Sequence, residues 1–374
     1  MLTSVSAKNY RSLKDTTLPL GPLTVLIGAN GSGKSNVLDL LALVKALIVE
    51  GQNLSQQFKL RGGYEHVVWG GNIHNDVEIE LGWKDEAPRN APGHIYSARL
   101  GYDRGTDVKF KEETFETPEA HVLRNEQGRA RIEIEAKGTV ERGTDNVLSA
   151  IQHVTQELLT PSEILASIQN WMFYRLDPSH MKAPQPVRSD YALSETGNNL
   201  STVLHALYSD QNPILKEIVE LLQACVPTVE SLRSPIYEEA KTYVALKEKS
   251  VPEPVGSWGL SDGTLIALAI ATAVLAKEPP SLIVLESPDT HLHQHVMETL
   301  AEMLKLASQR TQVITTTHSP YLLNHLPPES FVVVEKHDGA TEYRPVKGWR
   351  GMKRVFELLG AGEAWHAGHI GGVP

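Results

Sequence analysis

One cysteine, Cys225, in 374 residues excludes an intramolecular disulfide and any cysteine-rich metal site. It falls in the helical pattern Ile218-Val219-Leu221-Leu222-Cys225 and reads as a small core residue. No apolar run reaches the roughly 20 residues that span a bilayer. The richest, Leu265–Leu275, reads as a buried helix. Met1–Leu13 is polar and strand-like, unlike a secretory leader, so a cytoplasmic location without membrane contact is expected. Positive charge is also short: 35 Lys and Arg stand against 45 Asp and Glu, a net charge of −10. That balance argues against a broad nucleic-acid-coating surface. It leaves two local basic groups, Arg350/Lys353/Arg354 and Arg124/Arg129/Arg131, which read first as solvated faces. Internal repeats, low-complexity segments and sustained heptads are all missing, which excludes a solenoid and a long coiled coil.

Against those absences stands one complete motif. Gly28-Ala29-Asn30-Gly31-Ser32-Gly33-Lys34-Ser35 fits G-x-x-x-x-G-K-[ST] without a mismatch. It lies between the apolar run Leu23–Ile27, a buried strand, and a helical pattern that starts near Asn36. Glycines let the backbone turn so that successive N–H groups point inward as an anion nest. The helix N-terminus behind them adds partial positive charge. Lys34 is placed to neutralise the β/γ-phosphates of a nucleoside triphosphate, and the Ser35 hydroxyl to ligate Mg²⁺. A glycine-rich turn that merely joins strand to helix is the plainer alternative, and the full motif in full context argues against it.

The helix after the loop carries Val37, Leu40, Leu41, Val44, Leu47 and Ile48 on one side. Val77–Leu81, His94–Tyr102 and Arg131–Ala136 suit antiparallel strands with one wet face. From about residue 145 the patterns turn helical, over Val147–Leu159, Ser162–Phe173, Asn199–Tyr208 and Pro213–Val226. Asp177–Ser194 reads as an irregular connector and Glu230–Lys249 as a mixed stretch. Beyond Pro252 and Pro254 the chain is α/β again, with strands at Ser281–Leu285, Gln312–Thr316 and Phe331–Val334 and a helix at His295–Ala307. The expected architecture is an α/β P-loop NTPase whose sheet is split by a β-then-helical insertion. A discontinuous head would take residues 1–90 and 250–374, with antiparallel strands extending to about 140, and a mainly helical lobe residues 141–249.

Three motifs follow the insertion. Ser281–Leu285 ends in Glu286, and a carboxylate at the C-terminal edge of a buried parallel strand can reach Mg²⁺ held by Ser35. Leu260-Ser261-Asp262-Gly263-Thr264 opens an apolar helix, either as a second anion site used on another subunit's γ-phosphate or as a simple serine N-cap. Thr317-His318-Ser319-Pro320 follows the next strand, and an imidazole there can sense a γ-phosphate or position water.

These segments, with Asn9-Tyr10-Arg11-Ser12, the continuation Ser35-Asn36, Glu286-Ser287-Pro288-Asp289, Leu292-His293 and Ser319-Pro320-Tyr321, together resemble the ABC-type ATPase heads of the RecF, SMC and OLD group. Arg61-Gly62-Gly63 and the tail Trp365–Gly372 resemble in particular the small stand-alone bacterial RecF-like ATPases of the AAA type. The resemblance covers both ends of the chain and only loosely residues 90–245. It implies a homodimer with two ATP molecules sandwiched between subunits. Lys34 and Ser35 would hold phosphate and Mg²⁺, and Glu286 would be the Walker B acid. Ser261, Asp262 and Gly263 would be signature residues acting on the partner's ATP, His318 the switch histidine, and Arg11 a neighbour of the nucleotide. For the magnesium-sensing glutamine, Gln56 and Gln57 are the candidates.

Two departures matter. Where such heads carry a second acid after Glu286, this chain has Ser287, a poor base. Loss of a general base commonly removes ~10²–10⁴ in rate. Asp289 could take that role only if the loop bends, and a displacement of about 1 Å is costly. Slow ATP hydrolysis is therefore expected. Ile266 stands where relatives often have arginine, which puts one trans contact in doubt. His291, His293 and His295 could gather Zn²⁺ on a strand, but no cysteine or paired acid completes a shell, and a dimer-facing loop is the preferred reading. No acid cluster of a nuclease follows His318, so cleavage would need a partner. The expected role is a sensor or scaffold in bacterial DNA metabolism or anti-phage defence, with an effector (a nuclease or toxin) encoded nearby. A RecF-like DNA-binding repair clamp and a non-hydrolysing assembly subunit are the alternatives.

Overall fold

Leu23–Ile27 is buried along its whole length, the mark of a strand with neighbours on both edges and layers on both faces. In the computed structural model, which describes residues 1–84, 93–102, 107–116, 120–124, 129–134, 138–143, 162–349 and 351–373, this strand lies inside a six-stranded sheet. The order is Trp171–Tyr174, Leu282–Glu286, Gln312–Thr317, Leu23–Ile27, Phe331–His337, Ala340–Pro345. The first five are parallel and the last returns antiparallel.

Side chains alternate between two cores, as a period of two requires. Leu26, Leu282, Val284, Ile314 and Val332 enter one core with the phosphate-loop helix Lys34–Ile48. Val25, Ile27, Ile283, Leu285, Val313 and Val333 enter the other, against the apolar helix Asp262–Val274 and the helix Met297–Ser308. Register then sets the site. Glu286 pairs with Thr316 and Thr317 with Ile27, so the acid, the Thr-His segment and the phosphate loop leave the sheet along one edge.

The alternating segments build a second sheet of eight antiparallel strands, including Leu13–Pro19, Leu2–Tyr10, Val77–Trp83, His94–Tyr102 and Arg129–Ile134. One amide joins the two sheets: Gln312 accepts from Leu2 N at 3.2 Å and donates to Leu2 O at 2.7 Å and Gly21 O at 3.0 Å.

The middle of the chain differs from the expected helical lobe. Helices form at Ser162–Gln169, Leu200–Ser209 and Ile214–Cys225. Trp171–Tyr174 is a strand, not the end of a helix, and it extends the central sheet beside Leu282–Leu285. Four bulky residues, Trp-Met-Phe-Tyr, satisfy either period over so short a span, and the open edge of the acid strand decides. Between residues 185 and 256, two further three-stranded sheets form from strands of two to five residues. The expected helix Val147–Leu159 and Arg350 lie outside the described residues. Cys225 is partly buried at its helix end, and burial pushes its thiol up to about 11.

Candidate nucleotide-binding site

The phosphate loop is held from outside by the hairpin of the last two sheet strands. A Cβ on Gly28 would sit 2.2 Å from Val334 O, and one on Gly33, at φ 110°, 2.0 Å from Thr341 Oγ1. Only glycine fits at either place. Thr341 Oγ1 donates to Ser32 O at 2.7 Å and also meets Ser12 Oγ at 2.7 Å. Asn36 Nδ2 donates to Ser12 Oγ at 2.5 Å. Asn30 and Gly31 form the exposed tip. The C-terminal tail packs beneath: Gly372 N donates to Glu335 Oε1 at 2.9 Å, and a Cβ on Gly372 would lie 3.4 Å from Gly28 Cα.

Inside the loop, Lys34 Nζ donates to Gly28 O at 2.7 Å and Ala29 O at 2.9 Å. Burial pushes its pKa down to about 8, with Glu286 opposing the shift. Ser32 is buried and its hydroxyl finds no hydrogen-bond partner among the described residues. An orphaned donor beside a buried cation fits a phosphate group.

Ser35 Oγ donates to Glu286 Oε1, so a hydroxyl and a carboxylate, both hard oxygen donors, meet where Mg²⁺ would be held. Arg175 Nε lies 2.5 Å from the other oxygen, Oε2. Ser287 follows with φ 48°, its N–H donating to Thr316 Oγ1 at 3.0 Å. That backbone conformation is uncommon for a residue with a side chain and marks a sharp exit from the strand. Asp289 Oδ1 is buried without a partner among the described residues. Burial raises the Asp289 pKa, against hydrogen bonds from Thr317 and the backbone and the nearby His318. Partial burial, then the charge of Lys34, lowers the pKa of His318, with Asp289 opposing. Lys34, Glu286, Ser287, Asp289 and His318 therefore gather at one sheet edge.

The signature segment makes its hydrogen bonds to other residues. Ser261 Oγ accepts from Thr264 N at 3.1 Å and caps the helix. Asp262 pairs with Lys182 at 2.7 Å, and that hydrogen bond holds its carboxyl below the usual range. A Cβ on Gly263 would lie 2.8 Å from His291 O, so glycine admits the loop after Glu286. Ile266 is buried in the core. The rings of His293 and His295 stack with centroids 4.9 Å apart, and His293 Nδ1 accepts from His295 N at 3.3 Å.

Arg11 pairs with Asp39 at 2.8 Å, and Asp39 also receives Tyr10 OH at 2.6 Å and Arg61 Nε at 3.0 Å. Arg11, Ser12, Asn36, His66 and Trp69 line an open cavity of about 440 Å³ beside the loop. Gln57 spends its side chain on Gln52 and Arg61, and Gln56 N donates to the Asn53 cap. Neither candidate glutamine bonds to Ser35 or Glu286. Arg175, Asp39 and Thr341 are the site residues that sequence reasoning missed, since each is defined by a partner far away in the chain.

A phosphate loop, a strand-end acid, a capped signature helix and a strand-end histidine on this sheet define an ABC-type P-loop ATPase. A family model described as "AAA domain, putative AbiEii toxin, Type IV TA system" matches residues 23–324, and the chain belongs to that family. An OLD nuclease of Thermus scotoductus (strain ATCC 700910 / SA-01) is 50% identical over 44 residues, 12% of this chain and 8% of the nuclease. The UvrABC system protein A of Clostridium perfringens (strain 13 / Type A) is 22% identical over 84% of this chain and 30% of its own length. The chain thus spans less than a third of each of these relatives. Among solved structures, an Smc head bound to the C-winged helix domain of ScpA aligns over 94% of this chain and 99% of its own, with TM-score 0.60 and 15% identity. A Pyrococcus furiosus Smc head with an extended coiled coil, bound to the C-terminal domain of ScpA, aligns over 96% and 99%, with TM-score 0.54 and 14% identity. Among the described residues no helix is long and apolar enough to cross a membrane.

Proposed function

We propose that this chain binds ATP with Mg²⁺, dimerises around two nucleotides, hydrolyses them slowly, and serves as a sensor or scaffold for an effector protein in DNA metabolism or anti-phage defence. The observation that carries the reading is the meeting of Ser35 with Glu286 beside Lys34, followed by Ser287 where an acid would activate water. Lys34 and the loop N–H groups bind the phosphates, and Ser35 with Glu286 holds the metal. The metal would neutralise phosphate charge and orient the γ-phosphate. The cavity lined by Arg11, Asn36, His66 and Trp69 has the volume of a ligand pocket and accepts the nucleoside end. Ser261 and Gly263 serve the nucleotide of a second subunit, which is consistent with the exposure of Ser261 at the start of its helix. The effector role draws support from two relatives, an OLD nuclease and a family described as "putative AbiEii toxin". The Smc heads bound to ScpA support a partner protein in general.

Steady-state phosphate release by the purified protein, compared with Ser287→Glu and a Lys34→Ala blank, tests the slow-switch reading. We expect the wild type close to the blank and the glutamate variant about tenfold or more above it. A brisk wild-type rate would sink the idea and point to Asp289.

A further inference from the structure

Arg175 has no part in the function just described, yet it is ion-paired to the acid on which metal binding depends. Its Nε lies 2.5 Å from Glu286 Oε2 while Ser35 donates to Oε1, so both carboxylate oxygens are taken by this chain. The pairing is built by the sheet. Tyr174 is level with Leu285 on the neighbouring parallel strand, and Arg175 and Glu286 are the next residues of each. Arg175 N donates to Glu195 O at 2.9 Å, which fixes the backbone there. The Arg175 side chain is 56% exposed and that of Glu286 21%, so the arginine can swing into solvent. Three residues on from Tyr174, Asp177 accepts from Ser179 N at 2.9 Å and caps the turn Pro178–Met181. Lys182, just beyond, holds Asp262 at 2.7 Å. One short segment therefore ties Glu286 at one end and the signature helix at the other.

We propose that Arg175 is a positioning residue, a tethered counter-ion that holds Glu286 until a nucleotide-bound divalent cation displaces it. The inference rests on the nucleotide-binding reading above. A cation held by Ser35 and Glu286 would repel a guanidinium on the same carboxylate. The ion pair therefore competes with metal binding, and the apparent metal affinity falls as the paired state is favoured. Release at Arg175 loosens residues 176–182, the strap that ends on Asp262.

The test uses the full chain in an equimolar complex with ATPγS, titrated with Mn²⁺ as a spin-active substitute for Mg²⁺, with free metal read by electron paramagnetic resonance. Arg175→Gln should tighten Mn²⁺ binding about three- to tenfold, as expected for opening a half-exposed ion pair, and Arg175→Lys should stay within about twofold of the wild type. Unchanged or weaker binding in Arg175→Gln overturns the proposal; weaker binding would place Arg175 on the phosphates instead. Hydrogen exchange on the wild type gives a readout that needs no variant. Amides of residues 176–182 should exchange faster once Mn²⁺ and ATPγS are both bound, and equal exchange counts against the strap. Nucleotide affinity in EDTA separates the two readings: its absence removes both, whereas intact nucleotide binding with unshifted Mn²⁺ removes only the role of Arg175.

Discussion

Burial against the loop carbonyls pushes the Lys34 pKa from its ordinary 10.5 down to about 8. The protonated ammonium is the form that binds phosphate. Metal-free ATP affinity should hence be flat below pH 8 and fall up to about tenfold per unit above it. Anisotropy of a labelled nucleotide in EDTA at about pH 7 and about pH 9.5 checks this, and equal affinities would refute it. The same shift acts on stability with a definite sign. The folded value lies below the unfolded one, so Lys34 costs stability below pH 8, and the cost fades as pH rises from 8 towards 10.5. Gly28 makes a separate prediction at this scale. With a backbone carbonyl 2.2 Å from any added Cβ, Gly28→Ala should destabilise by about 1–3 kcal/mol in chemical denaturation. Lys34, Ser35, Glu286, Ser287 and His318 were legible in the sequence because each ends a buried strand or follows one, directly or through the phosphate loop, where local pattern and chemistry coincide. Arg175 and Asp39 were not, because their meaning comes from Glu286 and from Arg11 and Arg61, residues that no local pattern links to them.

At the level of elements, the hairpin Phe331–Pro345 acts on the loop through one hydroxyl. Thr341 Oγ1 joins Ser32 O and Ser12 Oγ in a buried network. Thr341→Val keeps the shape but leaves those groups short of a partner. It should lower the denaturation midpoint by an amount equivalent to about 1–2 kcal/mol and weaken ATP binding several-fold; Thr341→Ser should restore most of both. Element type was readable wherever a pattern ran long enough, as in Val77–Leu81, whose alternation lies within the strand Val77–Trp83, buried at every second residue. It failed at Trp171–Tyr174, where four bulky residues carry no period of their own and the neighbouring strand determines the outcome.

For the whole molecule, the exposed Ser261 at the start of an apolar helix should touch the nucleotide of another copy. ATPγS with Mg²⁺ should raise the sedimentation coefficient to that of a dimer, and Lys34→Ala should remain a monomer. Ser261→Arg should block association while leaving nucleotide affinity within about twofold, because a bulky charge at an interface obstructs docking without touching the loop of its own chain. Association that persists in Ser261→Arg would move the interface elsewhere.

Among the described residues, the strand that carries the phosphate loop has its strand partners at residues 313–317 and 331–333. On the ribosome, Leu23–Ile27 must wait until residues 313–333 are made, on the order of fifteen seconds to a minute at 5–20 residues per second. Its buried, β-rich sequence is exposed through that interval, and the nucleotide site closes among the last events of folding. Synthesis thus builds the antiparallel sheet first, and the loop read first in the sequence becomes functional only when strands about three hundred residues later arrive.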